Sequence, residues 1–300
     1  MHDPTPAWQL TEDPQAFLDA VAGVLAADPV RATIVATTAQ RLMERAARGE
    51  PAPDHPHWFA VARTADGEVA GAAMRTAPAP PYQAHLMPMD ARLATSLADL
   101  LLARGEVVPA ANGAQGPATA FLRRMGEHAG GDLELARPSR LFELGTLVPP
   151  ARAPGGGPRL VAADELDVAH AWIGDFAAAA DAQAGRAPGA TVTPPPRDTV
   201  ERRVADRKLW WWEDDGEPVS LVGFMGPALG VARIGPVYTP AVHRGRGYAG
   251  ALVAHVSALL RDAGHRVCLF TDLENPVSNA LYERLGYRKV VDMGELRIAS

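Results

Sequence analysis

Six consecutive residues, Arg244-Gly245-Arg246-Gly247-Tyr248-Ala249, place two glycines, an alanine and two cations immediately before a helical pattern. The first N–H groups of a helix have no partner inside it and carry the positive end of its dipole, so a loop at that point binds phosphate or another anion. Glycine lets the main chain approach such an anion closely, because no Cβ intervenes. The chemistry expected here is the holding of a pyrophosphate. The loop is neither a Walker loop nor a dinucleotide fingerprint: no Gly-Lys-Ser/Thr follows the glycines, and no Gly-x-Gly-x-x-Gly opens a helix with an acid about 20 residues further on.

The flanking elements must position that loop. The apolar run Ile234 to Tyr238 reads as a strand, and Thr239 to Arg246 as the loop it feeds. Beyond Gly247, the residues Leu252, Val256, Leu259, Leu260 and Ala263 recur at helical spacing and predict one buried stripe. Gly264 stops the helix; Val267 to Phe270 follows as a short buried strand and Asn275 to Leu285 as a second helix.

With these elements in place, Arg244-x-x-Gly247-x-Ala249 resembles the Arg/Gln-x-x-Gly-x-Gly/Ala pyrophosphate loop of the GNAT superfamily of N-acetyltransferases. The segment from Asn275 through Tyr282 to Gly286-Tyr287 resembles that family's Asn-x6-Tyr-x3-Gly-aromatic stretch. Within the superfamily, VYTPAVHRGRGYA and SNALYERLGY are most similar to the glycine N-acyltransferase-like branch, and the likeness runs over residues 158–300. It implies acetyl-CoA, or another acyl-CoA, as co-substrate, no metal, and transfer of the acyl group to a primary amine by direct attack. By the same likeness Val237, Tyr238 and Thr239 run beside the pantetheine, where a strand N–H polarises the thioester carbonyl; Pro236 suits a splayed strand because it cannot donate to a ladder. Arg244, Gly245, Arg246, Gly247, Tyr248 and Ala249 hold the pyrophosphate, Asn275 caps the second helix and touches the pantetheine amide, and Tyr282 protonates the departing thiolate.

The resemblance leaves the base open. Many family members carry a glutamate on the strand before the loop, and Val231 to Tyr238 contains no acid. Glu213, Asp214, Asp272 or a water chain could take the proton, with Asp272 favoured because it directly follows the buried strand. His243 reads as an exposed loop residue and His255 as the edge of the helix stripe. The rival reading, kept by the missing strand acid, is a non-catalytic acyl-CoA-binding or regulatory protein. Trp210, Trp211 and Trp212 lie in a predicted strand, so the outer two face one way and the middle one the other.

The whole chain sets the remaining expectations. Three hundred residues suit two domains. A hydrophobic content of 47% with 21% charged residues is that of an ordinary globular protein. A net charge of −6 argues against nucleic acid or an anionic membrane as partner. The acceptor expected is a small-molecule or peptide amine, and the protein a monomer or homodimer. One cysteine, Cys268, cannot make a disulfide within the chain, the histidines show no metal-ligand spacing, and neither a signal peptide nor a run of 18 apolar residues is seen; a cytoplasmic location follows as the expectation.

Composition places a Pro/Gly linker at residues 150–158, between a domain at 1–149 and another at 159–300, and a long loop at Gly185 to Pro196. In the first half, helices are predicted at Pro14 to Ala26, Arg31 to Arg48, Asp90 to Ala103 and Pro117 to His128. Strands are predicted there at Trp58 to Arg63, Val69 to Thr76, Gln83 to Met87, Val107 to Ala110, Leu133 to Arg137 and Leu141 to Val148, with an Asp66-Gly67 hairpin. The second half repeats the order: a strand at Arg159 to Ala162, helices at Asp164 to Ala180 and Arg197 to Arg207, and strands at Leu209 to Glu213 and Val219 to Met225 about an Asp215-Gly216 turn. The fold expected is therefore α/β (α+β), two tandem GNAT-like domains, each a mixed, mostly antiparallel sheet flanked by helices. The first copy has Met87-Pro88-Met89-Asp90-Ala91-Arg92 where the second has its glycine loop. An aspartate there caps the helix and takes the donors a phosphate needs, so the first copy is expected to bind no CoA and to serve as a scaffold or one wall of the substrate cleft.

Overall fold

Local signals set most element boundaries, as the first helix illustrates. Asp13 Oδ1 accepts the N–H of Gln15 at 2.8 Å, Pro14 occupies the first helical position, and Phe17, Val21 and Leu25 form one buried stripe. The computed structural model describes residues 6–183 and 195–299, and most of the loop expected at Gly185 to Pro196 lies outside the described residues. The chain forms two compact units: residues 1–139 with 292–300, and residues 140–291.

The first unit begins β1 (Ala7–Thr11), α1 (Pro14–Ala27), α2 (Thr33–Ala47), β2 (Trp58–Arg63), β3 (Val69–Arg75) and β4 (Ala84–Leu86). It continues α3 (Ala91–Ala103), β5 (Ala110–Ala114), α4 (Gln115–Ala129) and β6 (Leu133–Leu144). The second runs β7 (Gly157–Leu160), a 3-10 turn, α5 (Leu166–Gln183), α6 (Arg197–Ala205), β8 (Leu209–Asp214), β9 (Glu217–Ala228) and β10 (Val231–Tyr238). A second 3-10 turn, α7 (Tyr248–Asp262), β11 (Arg266–Asp272), α8 (Pro276–Arg284) and β12 (Tyr287–Ile298) complete it. The result is a mixed, mostly antiparallel α/β fold flanked by eight helices among the described residues. Parallel pairing joins β4 to β5 and β10 to β11, at corresponding places in the two orders. Among the described residues no helix is long and apolar enough to cross a membrane.

Several elements differ from the sequence expectation. β1 was not expected; it is short, only partly buried, and held by pairing to β2. β5 lies at Ala110–Ala114 rather than at Val107 to Ala110: AANGA has little strand propensity, and its neighbours β4 and β12 decide its conformation. The two strands expected at Leu133 to Arg137 and Leu141 to Val148 are one strand, β6, passing through Pro138. On α7, Leu259 is 42% exposed and Ala263 is exposed, so the buried stripe is Leu252, Val256 and Leu260 with the small residues between them.

The domain boundary also falls elsewhere than composition suggests. The chain leaves the first unit within β6 and returns to it within β12. Strand order in the first unit is β1-β2-β3-β4-β5-β12-β6, and in the second β12-β6-β11-β10-β9-β8-β7. Leu296 of β12 thus enters the core of the first unit, and Phe142 of β6 that of the second. Glu295, 4% exposed, sits in the first unit against Arg297 at 2.6 Å and Arg137 at 3.7 Å, the partners a buried carboxylate requires. Residues 150–158 touch the second unit at two glycines: the Gly155 carbonyl accepts the Trp212 Nε1–H at 2.7 Å, and Gly156, at φ +79°, lies where a Cβ would meet the Glu213 carbonyl. Proline and glycine report the lack of regular structure there, not the lack of contacts.

The exchanged strand generates a prediction. A fragment of residues 1–150 lacks Met293–Arg297, the antiparallel partners of β5. It should show no cooperative melting transition by circular dichroism, and appending residues 287–300 through a flexible linker should restore one; a cooperative melt of 1–150 alone would contradict this strand assignment.

Candidate active site

The second unit opens at one point. β10 pairs in parallel with β11 from Val231↔Arg266 to Ile234↔Leu269, and there that ladder ends. On its other side β10 stays paired with β9 at Val237↔Val222 and Tyr238↔Leu221, after a bulge between Ile234 and Val237. Two strands that part while both continue leave main-chain groups facing the gap, and these must be satisfied by water or a ligand. Pro236, in the bulge, has no N–H to lose. Val237, Tyr238 and Thr239 therefore follow the point where the two strands part.

At the end of β10 the chain makes its 3-10 turn and enters the glycine loop. Arg244 folds back so that Nε donates to the Thr239 carbonyl at 2.9 Å. Gly245 and Gly247 have φ of +77° and +89°, conformations that a Cβ disfavours, and an added Cβ at either would meet no atom within 4 Å. Gly247 is the N-cap of α7, and no side chain caps that helix. The first N–H groups of α7 are thus left to solvent or to an anion, with Arg244 and Arg246 exposed beside them. Tyr248 contributes differently from its loop neighbours. Its ring is 4% exposed in the core, and its hydroxyl donates to Asp214 Oδ2, which pins the first turn of α7 to the β8–β9 hairpin. That partner is 34 residues away, and sequence spacing offers no sign of it.

Asn275 caps α8, its Oδ1 accepting the Ser278 N–H at 3.0 Å. Asn279, one turn on, donates to the carbonyls of Asp272 at 3.0 Å and Asn275 at 2.8 Å, fixing the β11–α8 connection. Tyr282 packs its ring against Phe142 and Tyr287, with centroids at 6.3 and 5.9 Å. Burial raises its phenol well above the ordinary tyrosine value, which makes it a weaker acid than a free tyrosine. The Asp272 carboxylate accepts the Glu274 N–H at 2.9 Å and serves the turn into α8.

The other acids considered are committed. Glu213 bonds Arg159, which also holds Glu165 through two hydrogen bonds of 2.7 Å. Those bonds, with donation from Ala162 N–H and Trp211 Nε1, bring the Glu165 carboxyl down to about 2. Asp214 is taken by Tyr248. His243 is half-buried rather than exposed, and its Nδ1 has no partner among the described residues. His255 lies edge-on to Trp210 at 5.0 Å, and burial lowers its imidazole. Trp210 and Trp212 face the α7 core while Trp211 faces the α5 side, the alternation expected of a strand.

The corresponding point of the first unit is closed. β4 pairs with β5 through its last residue, Leu86↔Gly113, and the Leu86 carbonyl lies 2.0 Å from where a Cβ on Gly113 would stand. Asp90 Oδ1 accepts the Arg92 N–H at 2.7 Å and caps α3. Neither a gap nor a free helix start is present there.

Residues 216–296, β9 through β12, match the sequence profile of the family described as FR47-like protein. No curated protein sequence matches the chain significantly. Among solved structures, a GCN5-related N-acetyltransferase from Sphaerobacter thermophilus is similar with a TM-score of 0.57 and 18% identity, over 98% of this chain and 95% of that one. A Drosophila protein gives a TM-score of 0.66 at 13% identity, over 98% and 99%. A GNAT-family acetyltransferase from Colwellia psychrerythraea gives 0.54 at 11%, over 97% and 98%. At these identities the likeness is one of fold: the chain has the fold of the GNAT acetyltransferases. The matched profile covers the open strand pair and leaves the Asp90 cap outside it. Asp90→Ala should lower stability by about 1 kcal/mol in urea unfolding, the usual value of an N-cap.

Proposed function

We propose that the second unit is an N-acyltransferase of the GNAT family, which takes an acetyl or other acyl group from its CoA thioester to an amine by direct attack. The observation that carries this reading is the conjunction of two features: β10 parts from β11 beyond Ile234, and the adjoining α7 starts at an αL glycine with no side-chain cap. One opening suits an extended pantetheine, the other its diphosphate, and they are joined by ten residues of chain, Tyr238 to Gly247. A free donor row at a helix start that also bears two exposed cations fits an anion better than water.

In this reading acetyl-CoA supplies an acyl group already activated as a thioester, and the protein orients it. The N–H groups from Gly245 to Ala249 hold the diphosphate, and Arg244 and Arg246 add positive charge. The free edge of Val237 to Thr239 offers a preorganised N–H to a carbonyl oxygen on which charge develops, the interaction that contributes most in such sites. Asn275 fixes the start of α8, and Tyr282 on that helix holds a proton at its hydroxyl for the departing sulfur. No carboxylate of β10 can take the amine's proton. Asp272, the last residue of β11, is the acid favoured for that role, and water is the other route. The first unit, with its closed strand pair, serves as scaffold, and the shared element order supports descent of both units from one α/β pattern.

Acetyl-CoA should bind with a dissociation constant of about 1 mM or below, and a panel of primary amines should release free thiol. Binding without release by any amine would instead mark an acyl-CoA-binding or regulatory protein, and no binding would sink both. Gly247→Val forces a β-branched residue into φ +89°, a strain of roughly 1–3 kcal/mol. Acetyl-CoA should then bind about tenfold more weakly or worse, and Arg244→Ala should weaken it without touching the backbone. Tyr282→Phe keeps the packed ring and removes the proton donor. Turnover should fall by about 10²-fold or more, the range of general acid catalysis, with acetyl-CoA affinity and melting temperature unchanged; full turnover would make Tyr282 a core residue only.

A further inference from the structure

On the α5 side of β10, the side chains of Tyr238, Trp172 and Trp211 meet. Tyr238 ends β10 and turns its ring towards α5, where it meets Trp172 edge-on, centroids 5.7 Å apart. Trp172 is held in turn by Trp211 at 5.0 Å, a fully buried ring whose indole N–H is anchored on Glu165 at 3.0 Å. The Trp172 ring is therefore fixed from behind, while it and Tyr238 stay only half-buried. Asp175 lies one turn beyond Trp172, and residues three apart share a helix face. It is exposed, and among the described residues no hydrogen bond or ion pair engages its carboxylate. Its negative charge reaches Tyr238, whose phenol is raised by burial and then by Asp175, against a smaller opposing effect of Arg244 on the loop side.

Two rigid aromatic rings beside an unengaged carboxylate attract a positive charge, through the ring faces and through the acid. The nucleophilic nitrogen itself is a poor occupant: it must be neutral to attack, and a carboxylate within reach would hold its proton on. A second positive group of the same molecule has no such conflict. We propose that Trp172, Asp175 and Tyr238 form the acceptor subsite of the second unit, and that it selects amines carrying a cationic group in addition to the nitrogen that is acylated. The proposal rests on the acyltransferase reading above, since it is the open edge of β10 at Tyr238 that places this subsite next to the thioester.

Three acceptors of similar length separate the possibilities: 1,4-diaminobutane, butylamine and 4-aminobutyrate, each assayed with acetyl-CoA for thiol release. The diamine should exceed butylamine in kcat/KM by at least tenfold, and 4-aminobutyrate should be the poorest. Asp175→Asn should abolish the advantage of the diamine by raising its KM, leave kcat on butylamine and the calorimetric affinity for acetyl-CoA unchanged, and be rescued in part by Asp175→Glu. Equal use of the three amines, an unchanged preference in Asp175→Asn, or no turnover of the diamine by protein that binds acetyl-CoA overturns the proposal. Should acetyl-CoA not bind at all, it is the acyltransferase reading that fails. Calorimetry of 1,4-diaminobutane alone then decides the subsite: heat lost in Asp175→Asn supports it, and no heat in the unmodified protein rejects it.

Discussion

The parting of β10 from β11 beyond Ile234 is the constraint on which the rest of the second unit depends. A sheet gains little from opening a ladder, since main-chain groups that lose partners must find others. Here β10 keeps its β9 partners through a bulge, so the strand is held on one side while the other is released. The glycine loop at the end of β10 and the uncapped start of α7 follow directly on that release.

The first unit shows what the alternative looks like. Its parallel pair stays closed to the end because Gly113 lets the Leu86 carbonyl come in where a side chain would stand. Its helix start is satisfied by Asp90, where α7 has only Gly247. Two backbones with the same order of elements thus differ at this point through a few local choices: a glycine that permits closure, an acid that caps, and an αL glycine at a helix start that no side chain caps.

Packing then fixes what the loop alone could not. Tyr248 belongs to the glycine loop by sequence, yet its side chain lies in the core and ties α7 to the β8–β9 hairpin through Asp214. The Pro/Gly segment before β7 lies against that same hairpin, at Glu213 and Trp212. A loop anchored this way has its conformation set by the core behind it.

By itself the sequence determined most of the elements and the loop. Helical spacing, caps such as Asn275, the Asp-Gly hairpins and the glycines of Arg244 to Ala249 are short-range signals, each set by a few neighbouring residues. Tertiary structure decided what depends on distant partners. β5 is a strand because β4 and β12 flank it, β6 and β12 each run from one unit into the other, and Tyr238 meets Trp172 only because α5 packs on β10. Such contacts leave no periodic trace, since the partners lie far apart in the chain.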